Sequence, residues 1–267
     1  MALLADNIFE APYMKTPLPA PLMRGAGLYL ALFGGALMAA LLGTLAAGTL
    51  GWRGATTAAL CYAMMAALIL AGLGRHAHPD RFGPANAITL ARAAITALMF
   101  GVAGEWLLGG MGALTAGLRW ALAGAAALIL VLDGLDGPAA RRSGMASPFG
   151  ARFDMEADAL FIMALCLVIA ASGAVGLWLL ASASLRYVFL LACRLEPRLA
   201  APLPPLMRRK AIYVVQAAAP IMALMPICPA GVAWMLCAAA FALVAYSFTA
   251  DSLWLLVGGR RIRAADF

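Results

Sequence analysis

Eight stretches of the chain, roughly residues 27–49, 55–74, 86–108, 113–133, 151–172, 177–193, 211–228 and 232–256, are almost unbroken runs of apolar side chains. Crossing the hydrocarbon core of a bilayer takes about 20 such residues per helix. Inside lipid the backbone must satisfy its own hydrogen bonds, so only helices and closed barrels span. No run alternates with a period of two, which argues against a barrel. An all-α, polytopic membrane helix bundle is therefore expected. Composition agrees, with 65% hydrophobic residues, 12% charged and a mean hydropathy of +0.93. Soluble domains carry about a quarter of their residues as charges. The residues ahead of the first run have no basic start followed by an apolar core, so a cleaved signal peptide is not expected. Pro17, Pro19 and Pro21 favour an extended approach to the first span.

Basic residues orient the bundle. With a cytoplasmic N-terminus and one crossing per run, fifteen Lys and Arg fall on the cytoplasmic side and Arg53 alone outside. That asymmetry is the positive-inside pattern. It also accounts for the net charge of +7 through topology and anionic headgroups, with no need for a nucleic-acid partner. Seventeen Arg against two Lys, with abundant Ala and Gly, points to a GC-rich bacterial genome and so to a bacterial cytoplasmic (inner) membrane. The five cysteines lie in or beside apolar runs without a Cys-x-x-Cys pair, and read as small buried side chains. Three arginines, Arg92, Arg119 and Arg186, fall inside runs. Arg119 and Glu105 both lie near external helix ends and are expected to pair. Arg92 and Arg186 lie toward the cytoplasmic side, where an intramembrane charge points to function.

Four carboxylates gather on that same side. Asp133 and Asp136 stand three residues apart at the exit of one run, and Asp154 and Asp158 four apart at the entry of the next. Both spacings put a pair on one helix face. The two helices are consecutive and antiparallel, so all four can converge at one depth. Such a cluster needs protons or divalent cations to neutralise it, and oxygen-only ligands suit Mg²⁺ or Mn²⁺. Two ions about 3.5–4 Å apart could be bridged, an arrangement used in phosphoryl transfer. Gly137 and Ala140 leave room for close approach of a ligand, and Arg141 offers a guanidinium to a phosphate.

The pattern Asp133-x-x-Asp136-Gly137-x-x-Ala140-Arg141, eight further residues, then Gly150-x-x-x-Asp154-x-x-x-Asp158 resembles the signature of the CDP-alcohol phosphatidyltransferases. The segment Pro84 to Arg92, "PANAITLAR", resembles the opening of that family's six-helix core. The resemblance spans roughly residues 80–258, which leaves residues 1–79 as a tail and two-helix extension and 80–267 as the core with its C-terminal tail. It implies that Asp133, Asp136, Asp154 and Asp158 hold the metal ions and that Asp158 is the general base on the acceptor hydroxyl. It implies that Gly137, Ala140, Arg141 and Gly150 surround the cytidine diphosphate of the donor, with Asn86, Thr89 and Arg92 nearby. The reaction so implied is attack of an alcohol on the β-phosphate of CDP-diacylglycerol with release of CMP, in a homodimeric phospholipid synthase.

Other readings attach to the same residues. An Asp cluster in a membrane also suits a cation or proton transporter, which leaves the Gly, Ala and Arg at fixed spacing unexplained. A silent family member would not need every carboxylate. Arg208, Arg209 and Lys210 could anchor a helix end to anionic lipid. Alternatively Arg186, Arg209 and Lys210 form a pocket for a phosphorylated acceptor. In phosphatidylglycerophosphate synthases a similar helix start reads Gly-Lys-x-Lys-Thr-x-x-Gln; here Lys210 and Gln216 fit, while Arg209, Ile212 and Tyr213 differ. His76 and His78 read as interfacial loop residues, and no other candidate group precedes residue 80, so the core is expected to suffice for chemistry. Pro138 lacks the N–H that would bond Gly134, so a kink or unwound turn is expected there.

Overall fold

The computed structural model describes residues 19–73, 82–145, 147–201, 203 and 207–257. His76, His78 and the C-terminal arginines lie outside the described residues, as do Pro17 and Lys15. Every apolar run forms a helix: α1 (Ala20–Ala46), α2 (Trp52–Gly72), α3 (Pro84–Leu107), α4 (Ala116–Ser143), α5 (Pro148–Ala171), α6 (Leu180–Leu195), α7 (Met207–Leu224) and α8 (Ala230–Val257). Among the described residues there is no strand. The protein is an all-α integral membrane bundle.

Six helical segments are individually long and apolar enough to cross a membrane: α1, α2, α3, α4, Leu177–Leu195 and α8. The other two differ for visible reasons. α5 carries Arg152, Asp154, Glu156 and Asp158 in its first turns, and α7 opens on Arg208, Arg209 and Lys210. Their apolar parts are largely buried among other helices, from Phe161 to Ala171 in α5 and, Met222 apart, from Ala217 to Leu224 in α7. On α1 and α2 the reverse holds, and Leu28, Leu32, Leu42, Leu60 and Leu68 face outward, where lipid would lie.

α3 is the hub, packing against α1, α2, α4 and α5. Its contact with α2 relies on small residues: a Cβ added to Gly101 would stand 2.9 Å from the carbonyl oxygen of Gly54 and 3.0 Å from Ala58. Small-residue faces of this kind bring helix backbones together in lipid, where no hydrophobic force does so. α4 and α5 both lie on α3 and meet each other much less. Their connection is short. Gly144 ends α4 in the left-handed conformation (φ 67°), as glycine does at a helix C-terminus. Ser147 then caps α5, its hydroxyl accepting from the Gly150 N–H at 3.0 Å, and Pro148 fills the first helical position.

Two expectations are corrected. α4 continues as helix through Pro138 to Ser143, so of the kink or unwound turn expected there the unwound turn does not form. Gly134, whose carbonyl Pro138 cannot bond, and Pro138 both line the cavity described below. Glu105 and Arg119 do not pair. Glu105 is buried and accepts from the Gly54 N–H at 2.5 Å, capping the start of α2. Arg119 donates to the carbonyls of Leu224 (3.0 Å) and Met225 (3.3 Å), closing the end of α7. Open carbonyls at a helix terminus attract a cation as strongly as a distant carboxylate does.

Candidate active site

Antiparallel succession brings the start of α3, the end of α4, the start of α5, the later part of α6 and the start of α7 to one end of the bundle. Three carboxylates meet there, with one oxygen each of Asp133, Asp154 and Asp158 mutually within 4.8 Å. Asp136, only 7% exposed, lies one helical turn beyond Asp133 and outside that trio. Among the four sits the guanidinium of Arg92, itself 1% exposed. Its Nη1 donates to Asp136 at 2.5 Å and Asp154 at 2.7 Å, while Nη2 meets Asp133 at 2.7 Å and Asp158.

The donor set suits a divalent cation. Carboxylate oxygens are the ligands that hard cations take, and one guanidinium leaves four carboxylates far from neutral. Mg²⁺ or Mn²⁺ would be held by Asp133, Asp154 and Asp158, with Asp136 beside them.

A cavity of about 640 Å³ opens from the carboxylates. Asp133, Asp154 and Asp158 form one side, together with Gly137 and Arg141. Arg186, Arg209 and Lys210 form another, and Phe189, Val244 and Phe248 add an apolar wall. Two of those cations already have partners. Arg186 Nη2 donates to Glu156 at 2.9 Å, and Arg209 binds Asp251 through Nε at 2.8 Å. Arg208 reaches the same Asp251 at 2.7 Å. Tyr213 also lines the cavity, its buried hydroxyl beside the Asp158 carboxylate.

Five residues expected around or near the donor, Asn86, Thr89, Arg92, Ala140 and Gly150, do not line this cavity. Asn86 is buried with its amide donating to the carbonyl of Phe82, and Thr89 bonds Ala85 O at 3.1 Å. Gly150 packs on Asn86, where an added Cβ would stand 2.8 Å from Oδ1. Ala140 is half-buried on α4 and likewise outside the lining. Asp251 was not anticipated. It is the lone acid in an apolar run, facing a basic helix start, and an intramembrane carboxylate requires such a partner.

Fold and site together define a polytopic membrane protein with an acidic, cation-ready cavity at one end of its bundle. The chain belongs to the CDP-alcohol phosphatidyltransferases, whose family model matches residues 82–246, more than half of its length. It is thus a transferase of substituted phosphate groups, of the kind that moves phosphatidyl groups in phospholipid synthesis. The match begins just ahead of α3 and leaves α1 and α2 outside. Comparisons with curated proteins and with solved structures found no match.

Proposed function

We propose that the protein transfers a phosphatidyl group from CDP-diacylglycerol to a small phosphorylated alcohol, releasing CMP. One observation carries this reading: carboxylates suited to cations and a cluster of three basic side chains border the same cavity. Divalent cations at the carboxylates would supply positive charge to the donor's diphosphate. Asp158 takes the proton of the acceptor hydroxyl as its oxygen bonds to the β-phosphorus. The bond from that phosphorus to the oxygen bridging it to CMP breaks, and CMP leaves with the electron pair. Arg141, at the mouth beside Gly137, is placed to hold the donor's phosphate oxygens. Lys210, which is exposed on the cavity wall, and Arg186 are placed to hold the acceptor's phosphate. The distribution of Lys and Arg supports a site facing the cytoplasm, in a bacterial inner membrane, and the family resemblance supports a homodimer.

The test is an acceptor screen with purified protein, CDP-diacylglycerol and Mg²⁺ or Mn²⁺, following CMP release. Turnover is expected with a phosphorylated alcohol. Lys210→Ala should then raise KM for that acceptor by about tenfold or more, the worth of a lost charge-assisted contact, and spare KM for the donor. Preference for an uncharged or zwitterionic alcohol, with Lys210→Ala behaving as wild type, would make the basic cluster a lipid anchor. Ion flux without CMP from any acceptor would revive the transporter reading.

A further inference from the structure

We propose that Arg92 is a positioning residue that stands in for the divalent cation, holding the carboxylates together when no cation is bound and yielding when one enters. This rests on the reading of Asp133, Asp154 and Asp158 as cation ligands. The geometry is specific. α4 and α5, which carry the two carboxylate pairs, are joined mainly through α3 and touch each other little. Arg92 comes from α3 and fills the space between them. Each terminal nitrogen bridges one carboxylate from α4 to one from α5: Nη1 joins Asp136 to Asp154, and Nη2 joins Asp133 to Asp158. The guanidinium thus presents two positive points, each between a pair of carboxylates from opposite helices.

A cation bound by Asp133, Asp154 and Asp158 would need the same ground. Mg²⁺ demands ligand oxygens at about 2.0–2.1 Å, whereas Nη2 already lies against two of those three residues and Nη1 against the third. Guanidinium and cation are therefore alternatives at one position. Without either, four carboxylates would face one another in a site where Asp136 is nearly out of solvent and repulsion is poorly screened. Arg92 makes the cation-free protein stable and, by occupying the ligands, makes cation binding weaker than the carboxylates alone would give.

Two measurements on the full-length protein in nanodiscs test this. One is the melting temperature in EDTA; the other is Mn²⁺ affinity by titration calorimetry. Arg92→Met keeps an unbranched chain of similar length and removes the charge. It should melt lower than wild type in EDTA, bind Mn²⁺ at least about tenfold more tightly because no hydrogen-bonded competitor remains, and gain more in melting temperature when Mn²⁺ is added. Arg92→Lys, with the same charge but one donor nitrogen in place of the two terminal ones, should fall between the two proteins in both measurements, and it keeps the test open if Arg92→Met does not fold. Mn²⁺ binding that is unchanged or weaker in the variants would overturn the proposal, as would an unchanged melting temperature in EDTA. Failure of the cation reading itself looks different: wild type would then bind no Mn²⁺ at all, or bind it equally well after Asp154→Ala.

Discussion

Gly150 shows how closely individual residues are fitted around the carboxylates. A methyl group there would press on Asn86, whose amide is tied to the Phe82 carbonyl and cannot swing aside freely. Gly150→Ala should therefore cost about 1–3 kcal/mol of stability, the usual range for overpacking, read as a lower melting temperature. Asp154 is the contrasting case. Its side chain is about a third exposed and packs little, so Asp154→Ala should leave the bundle folded. Turnover should fall by several orders of magnitude, since a cation ligand is lost where charge develops in the transition state; CMP release at saturating Mn²⁺ measures it, and near-normal turnover would sink the mechanism. The acidic positions were legible in the sequence because spacings of three and four residues fix a helix face. That Arg92 lies on the side of the carboxylates was legible too, but not that it bridges all four, because periodicity within one helix says nothing about which other helices flank it. The same blindness produced the wrong pairing of Glu105 with Arg119.

Between helices, polar contacts at both ends of the bundle reinforce the apolar packing. At the end carrying the site, Asp251 of α8 receives Arg208 and Arg209 of α7, and its own carboxylate is 3% exposed. Removing one partner of a buried ionic group costs roughly 3–5 kcal/mol. Asp251→Ala should lose stability on that order, and the double variant with Arg209→Met should recover part of it, as a double-mutant cycle would reveal. At the opposite end Glu105 of α3 caps α2, beside the close approach of Gly101 to Gly54. These contacts bear on the expectation that α3 to α8 suffice for chemistry. A protein beginning near Phe82 loses the partner of Glu105 and exposes the small-residue face of α3. It should melt well below the full chain, while the folded fraction retains measurable CMP release because every carboxylate remains. Complete loss of turnover in a well-folded truncation would show that α1 and α2 build part of the site. Helix existence was legible from hydropathy, and helix ends were less so. The apolar run stops at Asp133, but backbone hydrogen bonding carries α4 on to the left-handed Gly144.

For the molecule as a whole, orientation rests on where basic residues fall. Ser143, at the end of α4, and Gly112, in the opposite connection, lie at the two ends of the bundle. With the native cysteines replaced, Gly112→Cys should react with a membrane-impermeant thiol reagent in intact cells, and Ser143→Cys only after permeabilisation. The reverse pattern would turn the site outward. The cavity itself carries a further consequence. Its lining holds both Asp133, Arg141 and Lys210 and Phe189, Val244 and Phe248, a mixture suited to the proposed donor, which has a hydrophilic head and greasy tails. On that proposed function the donor would arrive by diffusing sideways within the bilayer without entering bulk solution, so the protein would sense a surface density. Diluting the donor with inert phospholipid, at constant total donor in the tube, should then slow the reaction in proportion to its mole fraction. Adding more vesicles of fixed composition should leave the rate per protein unchanged once all protein is embedded.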